Sequence, residues 1–104
     1  MRMTSKSLTT IKRLKPVHPG EVLALEMESR GLSSLALSLK LRVPANRISE
    51  IVKGRRGVTP ETALRLGRYF GTGAELWTRL QADYDLAIVE RELGAVIRRE
   101  VEAA

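Results

Sequence analysis

"RVPANRISEIVKGRRG", Arg42 to Gly57, decides how the rest of the chain is read. Ile48, Ile51 and Val52 recur at helical spacing, and Gly54 ends the run. Arg42-Val43-Pro44 breaks whatever precedes it, because the residue before a proline is pushed out of the α region. The spacing therefore predicts a short helix from about Ala45 to Lys53, followed by the loop "RRGV". Its non-core positions are Ala45, Asn46, Arg47, Ser49, Glu50 and Lys53. Two readings are open: an edge that meets a nucleic acid, or an ordinary core helix that ends in charge.

Moving toward the N-terminus, Ser33 and Ser34 offer an N-cap for "LALSLKL", in which Leu37 and Leu41 share a face. Before it, Pro19-Gly20-Glu21 opens a helix carrying Val22, Leu23, Leu25 and Met27, and Gly31 closes it as a C′ residue. His18, the only histidine, reads as the residue at that helix entry. Toward the C-terminus, Thr59 caps a helix with Pro60 in its first position and Glu61 in its first turn. Ala63, Leu64, Leu66 and Phe70 form its apolar side, and Gly71 and Gly73 end it.

The last stretch, from Ala74 to about Val101, is helical by composition. Trp77, Leu80 and Tyr84 share a stripe that suits packing against the helix from Pro60 to Phe70. Leu86, Val89, Leu93 and Val96 continue at spacings of three, four and three, after the core should already be complete. Leftover apolar surface of this kind points to a second subunit or another partner, although folding back onto the same domain is also open. Gly94 weakens the helix by about 1 kcal/mol relative to alanine. One continuous helix and a break near Asp83 to Asp85 are both compatible with the pattern. The expected fold is all-α, with five or six helices and an extended C-terminal one.

The 104 residues suit one domain with a modest core, and 43% hydrophobic content with 4% aromatics makes that core aliphatic. The absence of cysteine excludes disulfides and thiolate metal sites, and fits a reducing, cytoplasmic setting. No apolar run is long enough for a membrane span or an export signal. "MRMTSKSLTTIKRLK" reads as a flexible basic arm, residues 1–15, before a helix-turn-helix domain at 16–82 and a C-terminal helix at 83–104. Net charge is +6, but residues 1–60 hold 12 Lys/Arg against 4 Glu, whereas residues 61–104 hold 6 Arg against 8 Asp/Glu. The basic half suits a polyanion, since lysine and arginine neutralise phosphates and release counterions.

Two short helices separated by a tight turn match the helix-turn-helix arrangement. Leu37, Leu41, Val43, Ile48 and Ile51 would pack the pair, leaving the polar edge of the second helix free to enter a major groove. Asn46 can pair with adenine and Arg47 with guanine O6 and N7. Ala45 can touch a thymine methyl, and Ser49 a base or a phosphate. Glu50 can accept from a cytosine amine, or pair with Arg47 or Lys53 within helical reach. Lys53, Arg55 and Arg56 suit phosphates. Ser33 and Ser34 can hold a phosphate or simply cap their helix. No metal-ligand cluster, cofactor loop or catalytic set is present, so neither a metal, a cofactor nor an enzymatic activity is expected.

Taken in order, four motifs carry a resemblance. They are H-P-G-E at His18 to Glu21, I-S-x-I-x-x-G-R-R at Ile48 to Arg56, T-P-E-x-A-x-R-L at Thr59 to Leu66, and E-L-W-x-x-L-Q-x-x-Y-D-L at Glu75 to Leu86. From about Lys15 to Leu86 the chain resembles a HigA-type antitoxin of the Xre helix-turn-helix superfamily, which implies a five-helix, lambda-repressor-like domain with an extended C-terminal helix. The resemblance implies a cytoplasmic homodimer that binds a palindromic double-stranded operator and represses its own operon. It also implies neutralisation of a RelE-like, mRNA-cleaving toxin. The implied recognition positions are Asn46, Arg47, Ser49 and Glu50, and the implied phosphate positions are Ser34, Lys53, Arg55 and Arg56. Three positions depart from the family pattern. Ser34 stands where a glutamine is common, and Pro44 where a serine or threonine caps. Arg42 replaces the turn glycine, which calls for either a strained left-handed residue or a differently shaped turn, and offers one more phosphate contact. A stand-alone Xre-type regulator without a toxin, and an interaction module that has lost DNA binding, are the other readings.

Overall fold

Five helices organise residues 15–104, the part of the chain that the computed structural model describes: α1 (Pro19–Ser29), α2 (Ser34–Leu41), α3 (Ala45–Val52), α4 (Pro60–Phe70) and α5 (Ala74–Glu100). There is no strand among the described residues. The basic arm expected at residues 1–15 lies outside them, except for Lys15.

Each helix starts and stops for a local reason. His18 caps α1: its Nδ1 accepts from the Gly20 N–H at 2.9 Å, while the Glu21 carboxylate accepts from the His18 N–H at 3.2 Å. This reciprocal arrangement satisfies two otherwise orphaned donors. At the other end, Gly31 takes φ 66°, and the Leu32 N–H donates back to the Met27 carbonyl at 2.9 Å. That is the Schellman closure that a C′ glycine makes possible. The Ser33 hydroxyl accepts from the Ala36 N–H at 3.0 Å to start α2, and the Thr59 hydroxyl accepts from the Thr62 N–H to start α4.

Packing follows the apolar faces. Leu37 and Ile51 are among the side chains with no exposure at all, as are Leu23, Ile48 and Leu66 on α1, α3 and α4. Burying each contributes about 1.5–3 kcal/mol. Trp77 is fully buried against Phe70, ring centroids 6.0 Å apart, and its indole N–H donates to the Thr72 hydroxyl at 3.1 Å. The one polar atom of that side chain is therefore satisfied.

Two glycines serve close approach. A Cβ on Gly20 would run into the Ile51 carbonyl, and one on Gly67 into the Gly73–Ala74 peptide. Gly20 thus lets α1 press directly on the end of α3. The loop after α3 is pinned from a distance: the Gln81 side-chain oxygen accepts from the Val58 N–H at 2.7 Å.

α5 runs unbroken for 27 residues, a length of about 40 Å at 1.5 Å per residue. No break occurs at Asp83 to Asp85, and the helix runs straight through them. At Gly94 the Glu90 side chain folds over the missing Cβ and pairs with Arg98 at 2.7 Å.

Candidate nucleic-acid interface

α2 and α3 are joined by Arg42, Val43 and Pro44. Arg42 adopts φ 60° and ψ 48°, the left-handed conformation usually reserved for glycine. The turn therefore keeps the shape a glycine would give it, and a residue with a Cβ occupies it under strain. The Val43 N–H donates to the Ser38 carbonyl at 3.0 Å, closing the end of α2. Pro44 stands at the N-cap of α3 and supplies no side-chain hydrogen bond there.

α3 is divided lengthwise. Ile48 and Ile51 are fully buried, and Val43 packs partly against the same core. On the opposite edge Ala45, Asn46 and Lys53 are exposed, and Ser49 and Glu50 are half-buried. The Ser49 hydroxyl donates to the Asn46 carbonyl at 3.2 Å. Arg55 and Arg56 stand exposed beyond Gly54, which turns the chain at φ 76°. Ser34 is half-buried in the first turn of α2, beside the capping Ser33. Ser33, expected either to cap or to hold a phosphate, has its oxygen engaged as the cap acceptor.

Glu50 pairs with neither Arg47 nor Lys53. Its Oε1 accepts from Arg56, at 2.8 Å from Nε and 2.7 Å from Nη2. The reason lies in the backbone: past the left-handed Gly54, the Arg55 N–H donates to the Glu50 carbonyl at 2.8 Å, which folds the loop back over the helix. The pair is solvent-exposed, so it contributes at most about 1 kcal/mol and opens easily.

Arg47 is instead held from α4. Its Nη1 lies 3.4 Å from Glu61 Oε1. The other Glu61 oxygen accepts from Arg65 at 3.0 and 3.1 Å, and Arg65 Nη1 donates to the Leu41 carbonyl at 3.0 Å. Neither Glu61 nor Arg65 was legible as part of this face. Fourteen residues separate Arg47 from Glu61, and no periodicity spans that gap.

On α5, Leu86, Val89, Leu93 and Val96 all remain open to solvent, from 68% exposed at Leu86 to 37% at Val96, so this stripe does not fold back onto the domain. Tyr84 is half-buried with its ring edge-on to the His18 imidazole at 4.8 Å. Among the described residues no cluster of His, Cys, Asp or Glu could hold a metal, and no helix is long and apolar enough to cross a membrane.

A helix-turn-helix family model matches residues 23–77. The chain is 48% identical over 81 residues to virulence-associated protein I of Dichelobacter nodosus, an alignment covering 77% of this chain and 75% of that one. It superposes with a TM-score of 0.85 and 39% identity on an addiction module antidote protein of a HigA family from Coxiella burnetii, covering 88% of this chain and 100% of that one. With the Pseudomonas aeruginosa antitoxin HigA, solved with the higBA promoter, the TM-score is 0.81 at 41% identity, over 84% and 96% of the two chains.

Proposed function

This chain belongs to the Xre-type helix-turn-helix family and shares the fold of the HigA antitoxins, and from that premise we propose that it is a DNA-binding antitoxin that represses its own operon. The observation that carries the reading is the lengthwise division of α3. A helix locked to the core by Ile48 and Ile51 carries exposed Asn46 and half-buried Arg47 and Ser49 along one edge, with Arg55 and Arg56 just beyond its end. That edge has the chemistry of base readout, and the two arginines have that of phosphate anchors. The HigA relative solved with its promoter supports DNA binding by this fold.

The protein acts as a homodimer on a palindromic operator, because two recognition helices must reach half-sites about 34 Å apart. The stripe Leu86, Val89, Leu93 and Val96 is the surface through which the copies meet. The partner it neutralises is a RelE-like toxin that cleaves mRNA. Ala45 and Glu50 complete the base-facing set, and Ser33, Ser34, Arg42 and Lys53 join the phosphate contacts.

A gel shift on DNA from upstream of the gene tests the first part. Arg47→Ala should abolish the specific complex, while Arg55→Ala/Arg56→Ala should weaken binding to every sequence. Variants that bind like the wild type overturn the assignment of this face. Co-expression with the product of the adjacent reading frame tests the second part, since rescue of growth requires a toxin that this chain restrains.

A further inference from the structure

We propose that Glu61, outside the helix-turn-helix pair, determines the specificity of the recognition helix by positioning Arg47; this rests on the DNA-reading role given to Arg47 above. An arginine reads guanine only when its planar fork is presented in one orientation, and an unrestrained side chain has several torsions through which it can reach neighbouring bases or phosphates instead. A partner that restricts Arg47 therefore sharpens its readout, and α3 itself supplies none: its only acidic residue, Glu50, is engaged with Arg56.

Glu61 is suited to the task because it is itself anchored. One carboxylate oxygen accepts from two Arg65 nitrogens at 3.0 and 3.1 Å, and Arg65 is fixed by its donation to the Leu41 carbonyl in the last turn of α2. The remaining oxygen meets Arg47 Nη1 at 3.4 Å. The chain of contacts ties the end of α2, the start of α4 and the fork of Arg47 into one unit. It uses Nη1 of Arg47, so Nη2 and Nε are not committed to Glu61. The Arg47 side chain is 23% exposed, less than Arg65 at 40% or Glu61 at 59%, as expected for a group held against a neighbouring helix.

The carboxylate has a second consequence. A negative charge beside the DNA-facing edge repels phosphates, so it weakens binding to any sequence while it sharpens the choice among sequences. Removing it should move the two properties in opposite directions, which a purely structural residue would not do.

The test uses the full-length protein and a duplex recovered by the wild type from a randomised pool. Affinities are measured for that duplex, for each single base-pair replacement in it, and for an unrelated duplex. Proteins compared are the wild type, Glu61→Gln, Glu61→Asp, Arg47→Ala and the double variant Glu61→Gln/Arg47→Ala. Glu61→Gln should lose about tenfold in discrimination at the position where Arg47→Ala acts, the scale of one bidentate arginine–guanine contact. It should bind unrelated DNA more tightly than the wild type. Glu61→Asp, which keeps the charge but retracts it, should lose the same discrimination without that gain. In the Arg47→Ala background, Glu61→Gln should change discrimination no further.

Full wild-type discrimination in Glu61→Gln, alongside a loss in Arg47→Ala, overturns this inference and leaves the reading of α3 intact. An undiminished effect of Glu61→Gln in the Arg47→Ala background does the same. If Arg47→Ala changes nothing, or the wild type selects no sequence, the reading of α3 and this inference fall together.

Discussion

Replacing Arg42 with glycine should stabilise this protein, although it removes a charged side chain and adds no contact. Arg42 sits at φ 60° and ψ 48° in the turn between α2 and α3. A left-handed conformation costs a residue with a Cβ about 1–2 kcal/mol, whereas glycine adopts it freely. The greater freedom of glycine in the unfolded chain offsets about 0.5–1 kcal/mol of that relief. The net gain is roughly 0.5–1 kcal/mol, which raises the midpoint of thermal unfolding by about 2–8 °C for a domain of this size. The side chain is exposed, so no buried packing is lost with it. Circular dichroism melts of the wild type and Arg42→Gly in the same buffer measure the shift. A lower Tm in the variant would refute the claim that the turn stores strain. The same variant separates stability from function: if Arg42 touches a phosphate, the slope of log K against log salt should become shallower by about 0.9.

Other perturbations have equally definite outcomes. Gly20→Ala should destabilise by about 3 kcal/mol or more, because its Cβ meets the Ile51 carbonyl and α1 must retreat from α3; chemical denaturation and gel shift should report the loss together. Trp77→Ala should cost about 3–5 kcal/mol, since the ring is fully buried beside Phe70, and urea titration reads it directly. Arg55→Ala/Arg56→Ala should leave sequence preference intact but reduce the salt slope by about 1.8, measured by fluorescence anisotropy across a salt series. Leu93→Asp, placed within the exposed stripe of α5, should shift sedimentation velocity from dimer to monomer without changing the helical signal.

Local chemistry made most of the fold legible. The Thr59-Pro60-Glu61 start, the Ser33 cap and the glycine at 31 act within a few residues of themselves, so the sequence displays them directly. Arg42 was legible as an anomaly, and the structure resolved it in favour of a strained residue over a reshaped turn. Relations formed only by the folded chain were not legible. Gly20 signals a helix start, but its use in bringing α1 against Ile51 depends on tertiary approach. The Glu50–Arg56 pair depends on the reversal at Gly54, and the Arg47–Glu61 contact spans two helices. Gln81 reaching back to Val58 crosses 23 residues. The pattern along α5 is compatible with one helix or with a break near Asp83 to Asp85, and only the folded chain shows it running through that point and through Gly94, where Glu90 and Arg98 close over the glycine.

The most direct test of the central claim is an NMR titration of the isotope-labelled protein with a duplex from upstream of its gene. The largest amide shifts should fall at Ser34, at Asn46 to Ser49 and at Lys53 to Gly57, with Leu86 to Val96 little affected by the DNA. Shifts confined to α5, or spread evenly over the surface with no concentration on α3, would contradict it.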